Sequence, residues 1–352
     1  MVRGGSRAVL SLLLVLAGVA HAAPRLAGQD ADVSALTVSG LSSGGNMAVQ
    51  FHVAHSASVE GAGVLAAGPY YCAGGRLWTA YYNCMTPRAW TPLPSQARLE
   101  AATAWLEQTG RIDPTRNLGT AKVWIFSGTR DDTVSPDVVS ALATWYRRYV
   151  NPANVIFVQD RPTGHAMPSA DPDVKAACEA TESPYLNRCI DKGTGKPYDA
   201  AGALLAHLMG SAPAVAATET GALKQFDQRE FAGGEPYSIS LAETGYVYMP
   251  AACATRRCRV HVAFHGCRQH EGAVGPAFAR DAGYNRWADA HHLIVLYPQT
   301  IARPATSFAG GFLYNPRGCW DWWGYTGAEY HTKAAPQIRA VKAMVERLGQ
   351  PR

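Results

Sequence analysis

A chain of 352 residues with 47% hydrophobic and 17% charged residues has an ordinary globular balance, enough for one large α/β domain or two medium ones. The net charge of +5 is spread along the sequence with no Lys/Arg run of the kind that binds nucleic acid, so a nucleic-acid partner is not expected. Residues 1–22 read as a secretory signal. Arg3 and Arg7 precede the apolar run Ala8–Ala20, and Ala20-His21-Ala22 is an A-x-A cleavage site, with cleavage expected after Ala22. The run is too short and wrongly flanked for a membrane anchor, and no other stretch is long and apolar enough to span a bilayer.

Strands and helices then alternate. Ser34–Ser39 is β-rich and Gly44–His55 reads as a helix. Gly61–Ala67 is a short buried strand, and Gln96–Gln108 an amphipathic helix. Lys122–Ser127 is a strand, followed by a helix over Pro136–Tyr149 with Pro in its first turn. Asn154–Gln159 is a strand and Ala200–Met209 a helix. The small-residue, aperiodic segment 210–220 reads as a connector between halves 23–209 and 221–352. The second half opens with extended pieces, Gly221–Phe231 and Tyr237–Met249. The run Cys258–Cys267 reads as a strand ending in His-Gly. A helix over Phe278–Ala290, the strand "HLIVLYP" and a closing helix over Ala334–Leu348 complete the chain. Such alternation implies a parallel sheet. The second half is too strand-poor to stand alone and the first lacks partners for its strand ending at Ser39, so together they should complete one sheet in one domain, 23–352.

The eight cysteines agree with export. Eight allow about 105 pairings, so the connectivity stays open. Three couples lie close in sequence in Gly/Pro/Asn-rich loops, Cys72/Cys84, Cys178/Cys189 and Cys253/Cys258, which leaves Cys267/Cys319. A metal site is discounted: no C-x-x-C occurs, and the close cysteines bring no histidines with them.

Gly40-Leu41-Ser42-Ser43-Gly44 matches G-x-S-x-G, the elbow that lifts a nucleophilic serine into a cleft between a strand and a helix. Alone the match is weak; a strand-like run before it and a helix-like run after it strengthen it. A serine nucleophile needs a base, and the base an orienting carboxylate. Asp131 or Asp132 follows the strand at 122–127, and His165 follows the next, both in loops where α/β sheets place their sites. Asp132 also suits a helix-capping role before Pro136. Among the other histidines His265 is the main competitor. It ends a strand as His-Gly, as in loops that complete an oxyanion hole, so the expected donors are the N–H groups of Ser43 and Cys267. His261 and His265 are four apart, but in a β-rich run with no carboxylate at useful spacing, so no metal is expected there.

The stretches "VSGLSSGGNMA", "AAGPYYCAGG", "SGTRDDTVSP", "GHAMP", "VAFHGCRQ", "DAGYNRWAD", "LIVLYPQ" and "NPRGCWDWWG" resemble the single-domain poly(3-hydroxybutyrate) depolymerases of the esterase family, over nearly the whole chain after the leader. The resemblance is to members whose α/β-hydrolase fold is circularly permuted. It implies Ser42 as nucleophile, Asp131 as orienting acid, His165 as base, oxyanion donors at Ser43 and Cys267, and the four cysteine couples above. It also implies a substrate wall at Trp322, a flat apolar face for a methyl-bearing polyester. Two positions depart from the pattern: Asn46 stands where relatives often carry Tyr, and a Trp that some have upstream of "NPRGCWDW" is absent. The expected protein is a secreted, monomeric serine esterase with a polyester polymer or oligomer as partner and no cofactor. The alternatives are an esterase for feruloyl or acetyl groups on plant polysaccharide, and a binding protein on a dead hydrolase scaffold.

Overall fold

The computed structural model describes Met1 and residues 23–210, 219–304 and 314–352. The expected leader and the middle of the connector (211–218) lie outside the described residues. In chain order the elements are β1 (Asp32–Leu41), α1 (Ser43–Ala54), β2 (Val59–Leu65), α2 (Leu77–Cys84), α3 (Gln96–Gln108), β3 (Lys122–Gly128), α4 (Pro136–Tyr149), β4 (Val155–Arg161), β5 (Met167–Pro168), β6 (Leu186–Asn187) and α5 (Ala200–Met209). After the connector come β7 (Ala222–Asp227), β8 (Thr244–Met249), β9 (Arg259–Phe264), α6 (Glu271–Val274), α7 (Ala277–Asp281), α8 (Tyr284–His291), β10 (Leu293–Tyr297) and α9 (Pro336–Leu348).

Eight strands form one sheet in the order β4-β3-β2-β1-β9-β10-β8-β7. Everything from β4 to β10 runs parallel, while β8 pairs antiparallel with both β10 and β7. The halves do complete each other: β1 is hydrogen-bonded to β2 on one side and to β9 on the other, with Val38 opposite both Ala62 and Val262. The strands that flank the elbow strand on its other side are thus supplied by the second half of the chain, as a circularly permuted α/β-hydrolase requires. Residues beside the elbow strand also meet the closing helix. Gln29 and Ala31 donate to Leu348 O, and Asp30 to Gln350 O, so the C-terminal end of α9 adjoins the start of β1.

The central strands are buried on both faces, which is why they read as continuous apolar runs. Helices α1, α4 and α9 cover one face and α5 and α8 the other. Phe51 of α1 packs on Phe264, while Ser39, on the opposite side of β1, meets Tyr284 of α8. Ser95 and Ser135 cap α3 and α4, each accepting a backbone N–H, and Pro136 occupies the first turn of α4, so those helices start where the sequence predicts.

Three expectations need correction. The helix expected over 278–290 is two, because Gly283 adopts φ 95° and lies against Asp199 and Ala201, which turns the chain between α7 and α8. The extended piece expected from Tyr237 begins as a 3-10 turn over Pro236–Ile239, and the strand starts only at Thr244. Helix α2 is not among the expected elements; it buries only the small Ala80 and Cys84 while Trp78 and Tyr81 face outward, so its apolar residues do not follow its buried face.

All four cysteine couples are bonded as expected: Cys72–Cys84, Cys178–Cys189, Cys253–Cys258 and Cys267–Cys319. The last closes the longest loop, with a separation of 52 residues. Restricting an unfolded loop of that size stabilises by about 4 kcal/mol in the chain-entropy account. No helix among the described residues is long and apolar enough to cross a membrane.

Candidate active site

The loops leaving the C-terminal ends of β1, β3, β4 and β9 converge at one edge of the sheet, where open α/β folds bind ligands. Ser42 sits between β1 and α1 at φ 58°, ψ −120°, a conformation rare for a residue with a side chain. The flanking glycines permit the turn. A Cβ on Gly40 would lie 2.3 Å from the Gly44 backbone, and one on Gly44 would lie 2.3 Å from Phe264 O and 2.4 Å from His265 O. These are backbone contacts and cannot swing aside. Gly44→Ala is therefore expected to destabilise by about 3 kcal/mol or more. A fall in the urea midpoint or in folded yield would register it; an unchanged midpoint would contradict the crowding.

Asp131 is buried after β3, and its carboxylate is fully engaged. Oδ1 accepts the N–H groups of Thr133 (2.9 Å) and Val134 (2.8 Å), and Oδ2 meets His165 Nδ1 at 2.8 Å. Asp132 is exposed, so of the two candidate acids it is Asp131 that meets His165. His165 is positioned by its own N–H, which donates to Thr181 Oγ1 at 2.9 Å. Its loop is tied down where Gly164 N–H donates to Cys178 O, beside the Cys178–Cys189 bridge. Ser42 and His165 line one cavity of about 150 Å³ together with Cys267. Met85, Tyr185, Thr181, Gln269 and Arg317 also line it. Sequence reasoning missed these five, since each is an ordinary loop residue until the disulfides and turns bring it in.

Neither Ser43 N–H nor Cys267 N–H has an acceptor among the described residues. Ser43 stands at the first position of α1, where backbone N–H groups have no intrahelical partner. Its hydroxyl accepts Trp320 N–H at 3.3 Å. Asn46, the departure noted above, bridges Gly68 N–H and Ser42 O, bracing the elbow against the loop after β2.

His261 and His265 are both buried, and burial pushes each imidazole down to about 3. His261 Nδ1 meets Thr37 Oγ1 at 2.8 Å and Nε2 meets Ser39 Oγ at 2.7 Å. His265 bonds to Gly266 O and Thr300. All four ring nitrogens are thus taken by protein groups, and the two rings play separate structural parts.

Trp322 is 8% exposed and lines an apolar groove of about 560 Å³ with Leu77, Trp78, Tyr81 and Trp323. Met85, Cys267 and Arg317 line both this groove and the cavity of Ser42, so the two adjoin. The loop carrying Trp322 is held by Asp321. That carboxylate accepts the N–H groups of Trp323, Gly324, Tyr325 and Thr326 and the hydroxyl of Thr326. Trp320 is fully buried against Phe264 and His265, a packing residue.

No family model matches the chain. It is 42% identical over 337 residues to a poly(3-hydroxybutyrate) depolymerase of Delftia acidovorans, covering 94% of this chain and 63% of that protein's length. It is 34% identical over 349 residues to a polyhydroxybutyrate depolymerase of Talaromyces funiculosus, covering 96% of each. Among solved structures it resembles a serine-to-alanine variant of a PHB depolymerase complexed with an R3HB trimer, with TM-score 0.81 and 34% identity over 92% of this chain and 98% of that one. The crystal structure of PHB depolymerase from Penicillium funiculosum aligns with TM-score 0.80 and 33% identity over the same shares. With this likeness running along nearly the whole chain and through its fold, the protein belongs to the polyhydroxybutyrate depolymerase family.

Proposed function

We propose that the protein is an exported, monomeric serine esterase that cleaves ester bonds of poly(3-hydroxybutyrate), of related short-chain polyhydroxyalkanoates or of their oligomers. Residues 23–352 form its single catalytic domain once the leader is removed. The observation that carries the reading is the 2.8 Å contact between His165 Nδ1 and Asp131 in a cavity that Ser42 lines, next to an apolar groove. His165 Nε2 takes the proton of Ser42 Oγ as that oxygen attacks the ester carbonyl. The tetrahedral oxyanion forms against the N–H groups of Ser43 and Cys267. Collapse expels the alcohol end of the polyester, protonated by His165, and leaves a 3-hydroxyacyl ester on Ser42. Water, deprotonated by His165, releases the acid and restores the serine. No step calls for a metal or organic cofactor, and four disulfides suit an oxidising compartment.

The adjoining groove suits that substrate class. It is walled by Trp322 and other aromatic side chains, and a repeating ester with methyl branches offers apolar area at regular spacing. The test is product analysis on polymer film, oligomer and soluble short ester, in parallel with Ser42→Ala. Film clearing and release of hydroxyacids support the reading; turnover of soluble esters alone points to another esterase. Trp322→Ala is expected to raise KM for hydroxybutyrate oligomers about tenfold, equivalent to about 1.4 kcal/mol of lost contact. Turnover of p-nitrophenyl acetate, too small to reach the groove, should stay near the parent value. Equal losses on both substrates would assign Trp322 to packing instead.

A further inference from the structure

The loop after β9 offers four successive N–H groups, and three are used. Gly266 N–H donates to Gln269 Oε1 at 2.7 Å, Arg268 N–H to Arg317 O at 2.7 Å, and Gln269 N–H to Gly266 O at 3.2 Å. Only that of Cys267 is without an acceptor among the described residues. Its direction depends on its peptide unit. A trans peptide points its C=O and N–H to opposite sides, so whatever fixes Gly266 O also aims Cys267 N–H.

Two groups hold that carbonyl, the Gln269 N–H at 3.2 Å and, more closely, His265, whose Nδ1 lies 2.7 Å from Gly266 O. The tautomer follows from the partners alone. Nε2 has Thr300 N–H at 3.2 Å, which can only donate, and Thr300 Oγ1 at 3.3 Å, while Nδ1 has only a carbonyl, which cannot donate, so in the neutral ring Nε2 carries no proton. The ring proton is therefore on Nδ1, where it faces an oxygen that can only accept. Thr300 is anchored in turn, its hydroxyl donating to Gly318 O at 2.6 Å, one residue before the bridge from Cys319 back to Cys267. Burial holds the ring neutral at working pH, so this arrangement does not titrate away.

We infer that His265 is a positioning residue for ester hydrolysis: its Nδ1–H grips the Gly266 carbonyl and so turns the Cys267 N–H toward the oxyanion formed at Ser42. The inference rests on the esterase reading above. It makes His265 a contributor to transition-state stabilisation without contact with substrate, and gives the His-Gly pair a physical purpose.

The experiment compares His265→Asn with His265→Gln. The Asn amide nitrogen can occupy the Nδ1 locus and keep the donation; the longer Gln amide reaches the Nε2 locus and cannot. His265→Gln is expected to lower kcat by about 10²-fold, the scale of losing one oxyanion donor, with KM and the pH profile little changed. It should weaken binding of an alkyl boronic acid, a tetrahedral adduct mimic, in proportion. His265→Asn should recover most of kcat. Equal loss in both folded variants, or none in His265→Gln, overturns the inference. If His265→Gln does not fold, His265→Asn decides: near-parent kcat supports it, and a loss of about tenfold or more (about 1.4 kcal/mol) overturns it. In the wild-type protein, ¹⁵N NMR of the ring should report protonated Nδ1 across about pH 5 to 8, and an Nε2-protonated ring overturns the inference whatever the variants do. Phosphonate labelling of Ser42 keeps the two readings apart. Labelled wild type with indifferent His265 variants defeats only this inference, whereas no labelling defeats the esterase reading and this one with it.

Discussion

Ser42→Ala is expected to lower kcat for ester hydrolysis by about 10⁶-fold, the scale seen when a triad loses its nucleophile, leaving only what the oxyanion donors and binding supply. Ser43→Ala is the informative control, because the two serines are neighbours with opposite assignments. Ser42 sits at φ 58° between glycines whose Cβ positions are occupied by backbone, so its side chain is the one thrust into the cavity with His165. Ser43 is buried, and its hydroxyl is engaged with Trp320 N–H. Its alanine variant keeps the backbone N–H that the oxyanion needs and loses one neutral hydrogen bond, costing about 1 kcal/mol of stability. It should therefore hydrolyse a soluble ester at a rate within about tenfold of the parent, a difference of about 1.4 kcal/mol. Steady-state kinetics on both variants settle the matter; a Ser43→Ala protein as inactive as Ser42→Ala would reverse the assignment.

The sequence is legible where chemistry is local. The elbow is read from Gly40, Ser42 and Gly44 because each glycine answers a backbone contact within the same strand-turn-helix unit or its neighbouring strand. Helices α3, α4 and α5 fall on the expected residues, and in the structure each starts at a local cap: Ser95, Ser135 with Pro136, and Asp199, which accepts Gly202 N–H. The break at Gly283 was not legible. A single glycine inside a helical pattern is tolerated on its own terms, and nothing local in the sequence marks the φ of 95° that Gly283 adopts.

The same division explains the site. Counting apolar strands brings out Asp131 or Asp132 and His165 as candidates, and the family resemblance implies Asp131. The structure adds that the Asp131 carboxylate is buried against the imidazole while Asp132 is exposed. Thr181, which fixes the backbone of His165, belongs to a loop whose path is set by the Cys178–Cys189 bridge, and nothing local marks it. Asp321 is similar. Its "WDWW" context suggests a core tryptophan cluster, but its four backbone N–H partners arise because the chain coils around the carboxylate over the next residues.

Asp131→Asn is expected to cost about 10⁴-fold in kcat with little change in stability, and the structure gives the reason through the orientation of the new amide. Thr133 and Val134 both present N–H groups to Oδ1, so the amide oxygen must take that place, since an NH₂ there would face two donors. The amide nitrogen is then left at the Oδ2 position, 2.8 Å from His165 Nδ1, where it can only donate. His165 must answer with an unprotonated Nδ1, which moves the ring proton to Nε2, the nitrogen that should accept from Ser42. The base is present, well placed and in the wrong tautomer. Asp131→Ala separates this effect from simple loss of structure. It leaves both backbone N–H groups unsatisfied in a buried turn, at about 1–3 kcal/mol each, so it should lower Tm where the Asn variant does not. Thermal melts and kcat on a soluble ester, measured for both variants, test the argument. An Asn variant that keeps near-parent kcat would show that Asp131 does not orient His165, and one that melts far below the parent would show that its oxygen does not hold the turn.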